Sequence, residues 1–214
     1  MKVEFSAFPK AFSGNVAVFV GADKQLLASA QTLDGQLGGA ISRAISASRF
    51  TGAKGQTLTL LGQAGIDRLT LVGVGKAREL DARAAETLGG TLAAEANAAG
   101  QKGFAVWVDA PKGSRLTPGQ IAARIALGAR LRTYRFDRYK TKDKPEQKNS
   151  LEGIVLHLAG AADGRRAYEK LEPTVDAVFF TRDLVSEPAN VLYPVEFARR
   201  ARDLSKLGIK VEIL

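Results

Sequence analysis

Short apolar runs rich in branched residues alternate with alanine-rich, helix-spaced stretches over roughly the first 160 residues, and this alternation constrains the fold more than any other feature. Val16–Val20, "VAVFV", follows Gly14-Asn15 and reads as a strand buried on both faces. Gln56–Gly62 and Asp67–Gly75 read as two strands with a break at Gly62–Gly65, close enough to pair antiparallel. Phe104–Asp109 and Leu151–Leu158 supply two more strands. Between them the spacing predicts a helix over Gln36–Phe50 and another over Leu80–Gly100, with Asp81 as N-cap and Gly100 just past the end. A further helix opens at Thr117, with Pro118 in the first helical position. Such an order favours parallel neighbours with helices on both faces, so the expected fold class is α/β with a mixed sheet.

The last third is organised differently. Asp137–Ser150 has almost no apolar residues and reads as a loop. A helix is expected from Asp163 to about Ser186 despite Pro173, then a crossing fixed by Pro188 and Pro194, then a helix from Pro194 to about Leu207. Lys210–Leu214 has the composition of a strand that would need neighbours on both sides, which suggests a second domain cut short.

Composition removes several chemistries. The chain has 214 residues and no cysteine, which excludes disulfides, thiolate metal sites and a cysteine nucleophile. There is one histidine, His157, so zinc sites built on several histidines are excluded, and its strand-like surroundings favour a structural role. No apolar run is long enough to span a membrane and the N-terminus lacks a signal-peptide core, so a cytoplasmic protein without membrane partners is expected. The net charge is +9, and six of those charges arise between Arg124 and Lys148, where nine basic residues face three acidic ones. Such a cluster can meet phosphate, an acidic partner or solvent.

The local motifs carry little chemistry. Leu71–Lys76 contains Gly73-x-Gly75 after a strand, but no third glycine follows at the spacing of a dinucleotide fingerprint, and the segment reads as a tight strand exit. Gly52–Thr57 lacks the ending of a phosphate-binding P-loop. The carboxylates are scattered, whereas a two-metal site needs several that converge. Asp183 and Glu187 lie one helical turn apart and read as capping or pairing groups.

Two longer stretches are more specific. Arg182, Asp183, Leu184, Val185, Pro188, Asn190, Val191, Leu192, Pro194, Phe197 and Ala198 fit the pattern R-D-L-V-N-x-P-x-N-V-L-T-P-x-x-F/L-A, with Ser186 in place of asparagine and Tyr193 in place of threonine. Tyr193 lacks the capping hydroxyl that threonine would offer the next helix. "GARLRTYRFDRYKTK" (Gly128–Lys142) and "RLTLVGVGK" (Arg68–Lys76) fit the same family's amino-terminal segments, in the same order. On these residues the chain resembles the leucyl (cytosol) aminopeptidase family, and the resemblance spans nearly all of it.

The resemblance implies a macro-domain-like amino-terminal α/β domain over 1–160, an interdomain helix over 161–187 and the truncated start of a catalytic domain over 188–214. It implies a parent metallo-aminopeptidase that hydrolyses amino-terminal residues from peptides with two divalent metals, manganese or zinc, and assembles as a homo-hexamer. The family's lysine and carboxylate metal ligands and its Asn-Thr-Asp-Ala-Glu-Gly-Arg signature lie beyond the matched segment. No catalytic or metal residue is therefore carried over, no cofactor is expected in this chain, and the chain alone is expected to be inactive, serving assembly or regulation. Two alternatives stand beside this. One is DNA binding by Arg130, Arg132, Arg135, Arg138, Lys140, Lys142 and Lys144, interleaved with Tyr134, Phe136 and Tyr139. The other is a macro-like nucleotide or ADP-ribose binder, resting on fold analogy.

Overall fold

The computed structural model of the chain describes residues 1–142 and 149–213. Its centre is a six-stranded sheet in the order β1-β6-β5-β2-β4-β3. The strands are β1 (Lys2–Ser6), β2 (Gly14–Gly21), β3 (Thr57–Gln63), β4 (Ile66–Gly75), β5 (Gly103–Trp107) and β6 (Gly153–His157). Neighbours are parallel except β3, which returns antiparallel to β4 through the expected break, pairing Leu60 with Leu69 and Gln63 with Ile66. The mixed sheet is as the sequence predicts; the edge strand β1, beside β6, is an addition to it.

Helices cover both faces. On one, α3 (Ala82–Ala98), α4 (Pro118–Arg132) and α5 (Ala161–Glu169) pack over Phe5, Phe104, Val106, Ile154 and Leu156. On the other, α1 (Ala28–Gln36) and α2 (Ala40–Ser46) bring Leu33, Ile41 and Ile45 onto Val16, Val18, Val20, Leu69 and Leu71. Val18, Phe19 and Val20 are fully buried, since β2 is central and covered on both sides. Each such side chain contributes roughly 1.5–3 kcal/mol on burial.

The predicted caps hold. The Asp81 carboxylate accepts the Ala84 N–H at 2.8 Å, and Gly100, at φ +66°, follows the end of α3. Thr117 and Gln120 form a reciprocal capping box, at 3.2 and 2.9 Å, with Pro118 behind it. α3 and α4 cross closely because each presents a glycine to the other. A Cβ on Gly89 would lie 2.0 Å from the Ile125 carbonyl oxygen, and one on Gly128 only 1.9 Å from that of Glu86.

Three expectations are corrected. The helix placed over Gln36–Phe50 is shorter, α2 alone, and α1 before it has no counterpart in the sequence reading; the two are separated at Gly38 and Gly39, whose φ values of +56° and +81° cannot continue a helix. The Asp34 carboxylate crosses the break to accept the Ile41 N–H at 2.8 Å. The helix placed over Asp163–Ser186, which filled the interdomain segment 161–187, is two helices. α5 lies in the main core through Tyr168, and α6 (Glu172–Ser186) starts after Leu171, with Pro173 in its first turn, where the missing N–H costs nothing. Finally, residues 210–213 form no strand, because no sheet edge lies beside them to supply the ladder hydrogen bonds, and Leu214 lies outside the described residues. The last helix, α7 (Pro194–Arg202), ends in a short 3-10 turn over Asp203–Leu207.

Candidate functional site

The tail of α6 and the start of α7 are held to the main domain by a polar junction. Glu187 ends α6 in an extended conformation, φ −68° and ψ 137°, as a residue before proline must. The chain then turns, with the Val191 and Leu192 N–H groups both donating to the Pro188 carbonyl at 2.9 Å, and α7 begins at Pro194. Tyr193 supplies no side-chain cap, as its lack of a threonine-like hydroxyl predicts.

Glu187 is the focus of the junction. Its side chain has no exposed surface and receives the Tyr139 hydroxyl at 2.6 Å, the Arg200 guanidinium at 3.2 Å and the Arg138 guanidinium. The Tyr139 hydrogen bond foremost, with Arg200 and Arg138, holds its carboxyl below the ordinary carboxylate range against the opposing effect of burial. The same bond raises the Tyr139 hydroxyl above its usual value. Beside it, Glu196 accepts Arg199 twice at 2.7 Å and Arg200 at 2.9 Å, and these bonds lower its carboxyl to about 2. One turn before Glu187, Asp183 accepts the Tyr134 hydroxyl at 2.9 Å, while Arg182 stacks on the Tyr134 ring at 5.3 Å. Asp183 and Glu187 thus serve pairing, as expected, but their partners are Tyr134, Arg138 and Tyr139. The two quoted stretches, Gly128–Lys142 and Arg182–Ala198, meet here, and their shared wealth of tyrosine, arginine and acid was the available signal.

The predicted basic residues divide among several surroundings. Arg130 bonds Glu172 at 2.8 Å and lies 3.6 Å from Asp176, Arg135 lies 3.5 Å from Asp137, and Arg138 is taken by Glu187. Arg132, Lys140 and Lys142 are exposed, with no ion pair among the described residues, and Lys144 lies outside those residues.

Other candidate positions are occupied by the protein's own groups. The Gly73 N–H donates to Gln56 O at 2.7 Å and the Gly75 N–H to Gly52 O at 2.9 Å, so the G-x-G segment has no free amides for a phosphate. In the crevice between the carboxyl ends of β2 and β5, where α/β sheets often take ligands, Asp109 accepts the Ser29 N–H at the start of α1 at 2.8 Å. Burial raises that carboxyl. His157 contacts the Ala7 carbonyl through Nδ1 at 3.0 Å and lies 5.5 Å from the Trp107 ring, a structural setting. Among the described residues no three His, Cys, Asp or Glu side chains are placed to hold a metal ion.

The family model described as "Cytosol aminopeptidase family, N-terminal domain" matches residues 16–143, more than half of the chain. The chain belongs to the cytosol aminopeptidase family. Curated relatives agree. A probable cytosol aminopeptidase of Caulobacter vibrioides is 38% identical over all of this chain and 43% of its own length. One of a Bradyrhizobium strain is 43% identical with the same coverage. The chain therefore spans under half the length of these relatives. Among solved structures, a tomato leucine aminopeptidase mutant superposes with a TM-score of 0.78 over 97% of this chain and 42% of its own, at 24% identity. The bottromycin maturation enzyme BotP gives 0.67 over 93% and 38%, at 20% identity. At those identities the likeness is one of fold, and it includes the mixed α/β architecture. No described helix is long and apolar enough to cross a membrane.

Proposed function

We propose that this chain is the amino-terminal part of a two-metal aminopeptidase that releases amino-terminal residues from peptides, and that this part serves assembly and regulation. The observation that carries the reading is the alignment of the whole chain with only 43% of relatives called probable cytosol aminopeptidases. In this reading residues 188–213 begin the catalytic domain, and the junction at Glu187 fixes its approach to the first domain. The divalent metals, manganese or zinc, the homo-hexamer and the cytoplasmic setting belong to the longer protein. One solved relative, BotP, is described in complex with Mn. The described residues of this chain do not offer a donor set that fits such a metal, so no hydrolytic step is assigned to them.

The test compares two proteins. Leucine p-nitroanilide with manganese or zinc is given to the 214-residue chain and to a longer polypeptide that continues it with the remaining length of a relative. Metal-dependent turnover is expected from the longer protein alone. Turnover at an enzyme-like rate from the 214-residue chain would overturn the division of labour, and a longer protein without peptidase activity would overturn the assignment.

A further inference from the structure

The close crossing of α3 and α4 removes side-chain bulk at Gly89 and Gly128 and leaves longer side chains standing around the crossing. There a groove of about 390 Å³ is lined by Arg83 from α3, Arg132 from α4 and Arg182 from α6, with Gly90 and Gly128 also in its lining. All three arginines are exposed, and none forms an ion pair among the described residues. The groove's one acidic lining residue, Glu86, is already neutralised by Arg124 at 2.6 Å. Arg182 is also held in place: its guanidinium lies over the Tyr134 ring at 5.3 Å and donates to the Leu131 carbonyl at 3.4 Å. Neither partner cancels its charge, and both reduce the entropy lost when it engages an anion. A second cavity of about 220 Å³ shares Arg83 and Thr87 with the first and adds Lys54 together with Asp81, the carboxylate that caps α3.

We infer that this groove is a binding site for linked phosphate groups. Three guanidiniums without an ion-pair partner among the described residues match a ligand carrying several negative charges in succession, and the guanidinium fork fits tetrahedral oxyanions. A single carboxylate would leave most of that charge unmatched. The site differs from the basic run of the sequence: Arg130, Arg135 and Arg138 of that run already face carboxylates, and of its described basic residues Arg132 alone lines the groove. The phosphates could belong to a free polyphosphate ester or to a nucleic-acid backbone; the chemistry is the same. The inference is independent of the peptidase reading, since it needs no hydrolytic step and no residue beyond those lining the groove.

Calorimetric titration of the chain with inorganic tripolyphosphate at low salt tests it. Saturable binding is expected, about tenfold or more weaker in Arg132→Gln and in Arg182→Gln, and unchanged in Lys140→Gln. Arg132 has no ion-pair partner among the described residues, so its variant should keep the parent melting temperature; this keeps the test valid if Arg182→Gln loosens the junction. A short DNA duplex is the second arm. Displacement of tripolyphosphate by the duplex, with a steep salt dependence, assigns the site to backbone phosphates. A duplex that fails to displace it assigns the site to a free polyphosphate. No heat at low salt, equal affinity for citrate, or equal losses in Lys140→Gln and Arg132→Gln would overturn the inference.

Discussion

The Tyr139 hydroxyl donates to a Glu187 carboxylate oxygen at 2.6 Å across 48 positions of sequence. That bond joins the segment after α4 to the end of α6, and the carboxylate also binds Arg200 of α7. Removing one partner leaves charges without their complement in an enclosed place, which is the costly way to break such a cluster. Glu187→Gln is therefore expected to lower the melting temperature and to speed proteolytic cleavage between residues 188 and 193. Tyr139→Phe should act in the same direction but less, because two guanidiniums remain. The double variant should fall short of the summed single effects, since the partners share one acceptor. Additive effects would show that the cluster does not act as a unit.

The same cluster sets a pH dependence. Glu196 has its carboxyl lowered from 4.5 to about 2, and Glu187 is lowered as well. A folded-state value below the unfolded one means that the unfolded chain takes up protons first. The stabilisation is thus complete above about pH 4.5 and is lost as pH falls toward 2. Hydrogen exchange should show α7 opening in this window before the sheet does. Glu196→Gln should flatten the early part of the transition; a wild-type profile in that variant would remove Glu196 from the account.

The helix crossing can be tested by two neighbouring glycines. Gly128→Ala drives a Cβ to 1.9 Å from a backbone oxygen, so α3 and α4 must separate. A loss of about 1–3 kcal/mol is expected. Gly90→Ala meets only an ordinary contact of 3.7 Å. It should be neutral or stabilise the chain by about 0.5–1 kcal/mol, the helix-propensity gain of alanine over glycine. Urea denaturation of both variants measures the contrast, and equal losses would contradict the close crossing.

Much of this fold was legible where its causes are local. β2 and β4 announce themselves as branched apolar runs, and α3 and α4 carry their caps in adjacent residues. α1 was missed because its N-terminal amide is satisfied by Asp109, 80 positions away, and its own sequence, "ASAQTLDGQ", has little apolar periodicity. The break between α5 and α6 was misread because Pro173 looks like an interruption when it is a start. The junction residues were visible through the family resemblance, yet their pairing was not, because Tyr134, Arg138 and Tyr139 reach α6 only after the chain has built β6 and α5. The arginine groove follows from the crossing of three helices, which no single segment encodes.

Val185 and Val195 are 81% and 73% exposed, and Tyr193, Phe197, Leu207, Ile209 and Ile213 are exposed around them. Most of the large exposed apolar side chains thus fall between residues 185 and 213. A surface of that kind marks a contact with other polypeptide, and in the proposed reading that polypeptide is the remaining length of the relatives. Val195→Ser with Phe197→Ser should therefore change the stability of the 214-residue chain by no more than about 0.5 kcal/mol per site, as exposed positions do. In the longer protein the same pair should lower the melting temperature and reduce peptidase activity, because there the side chains would be buried. Thermal melts of both proteins, with and without the substitutions, check this. An equal effect in the two would show that these residues matter only within the chain itself.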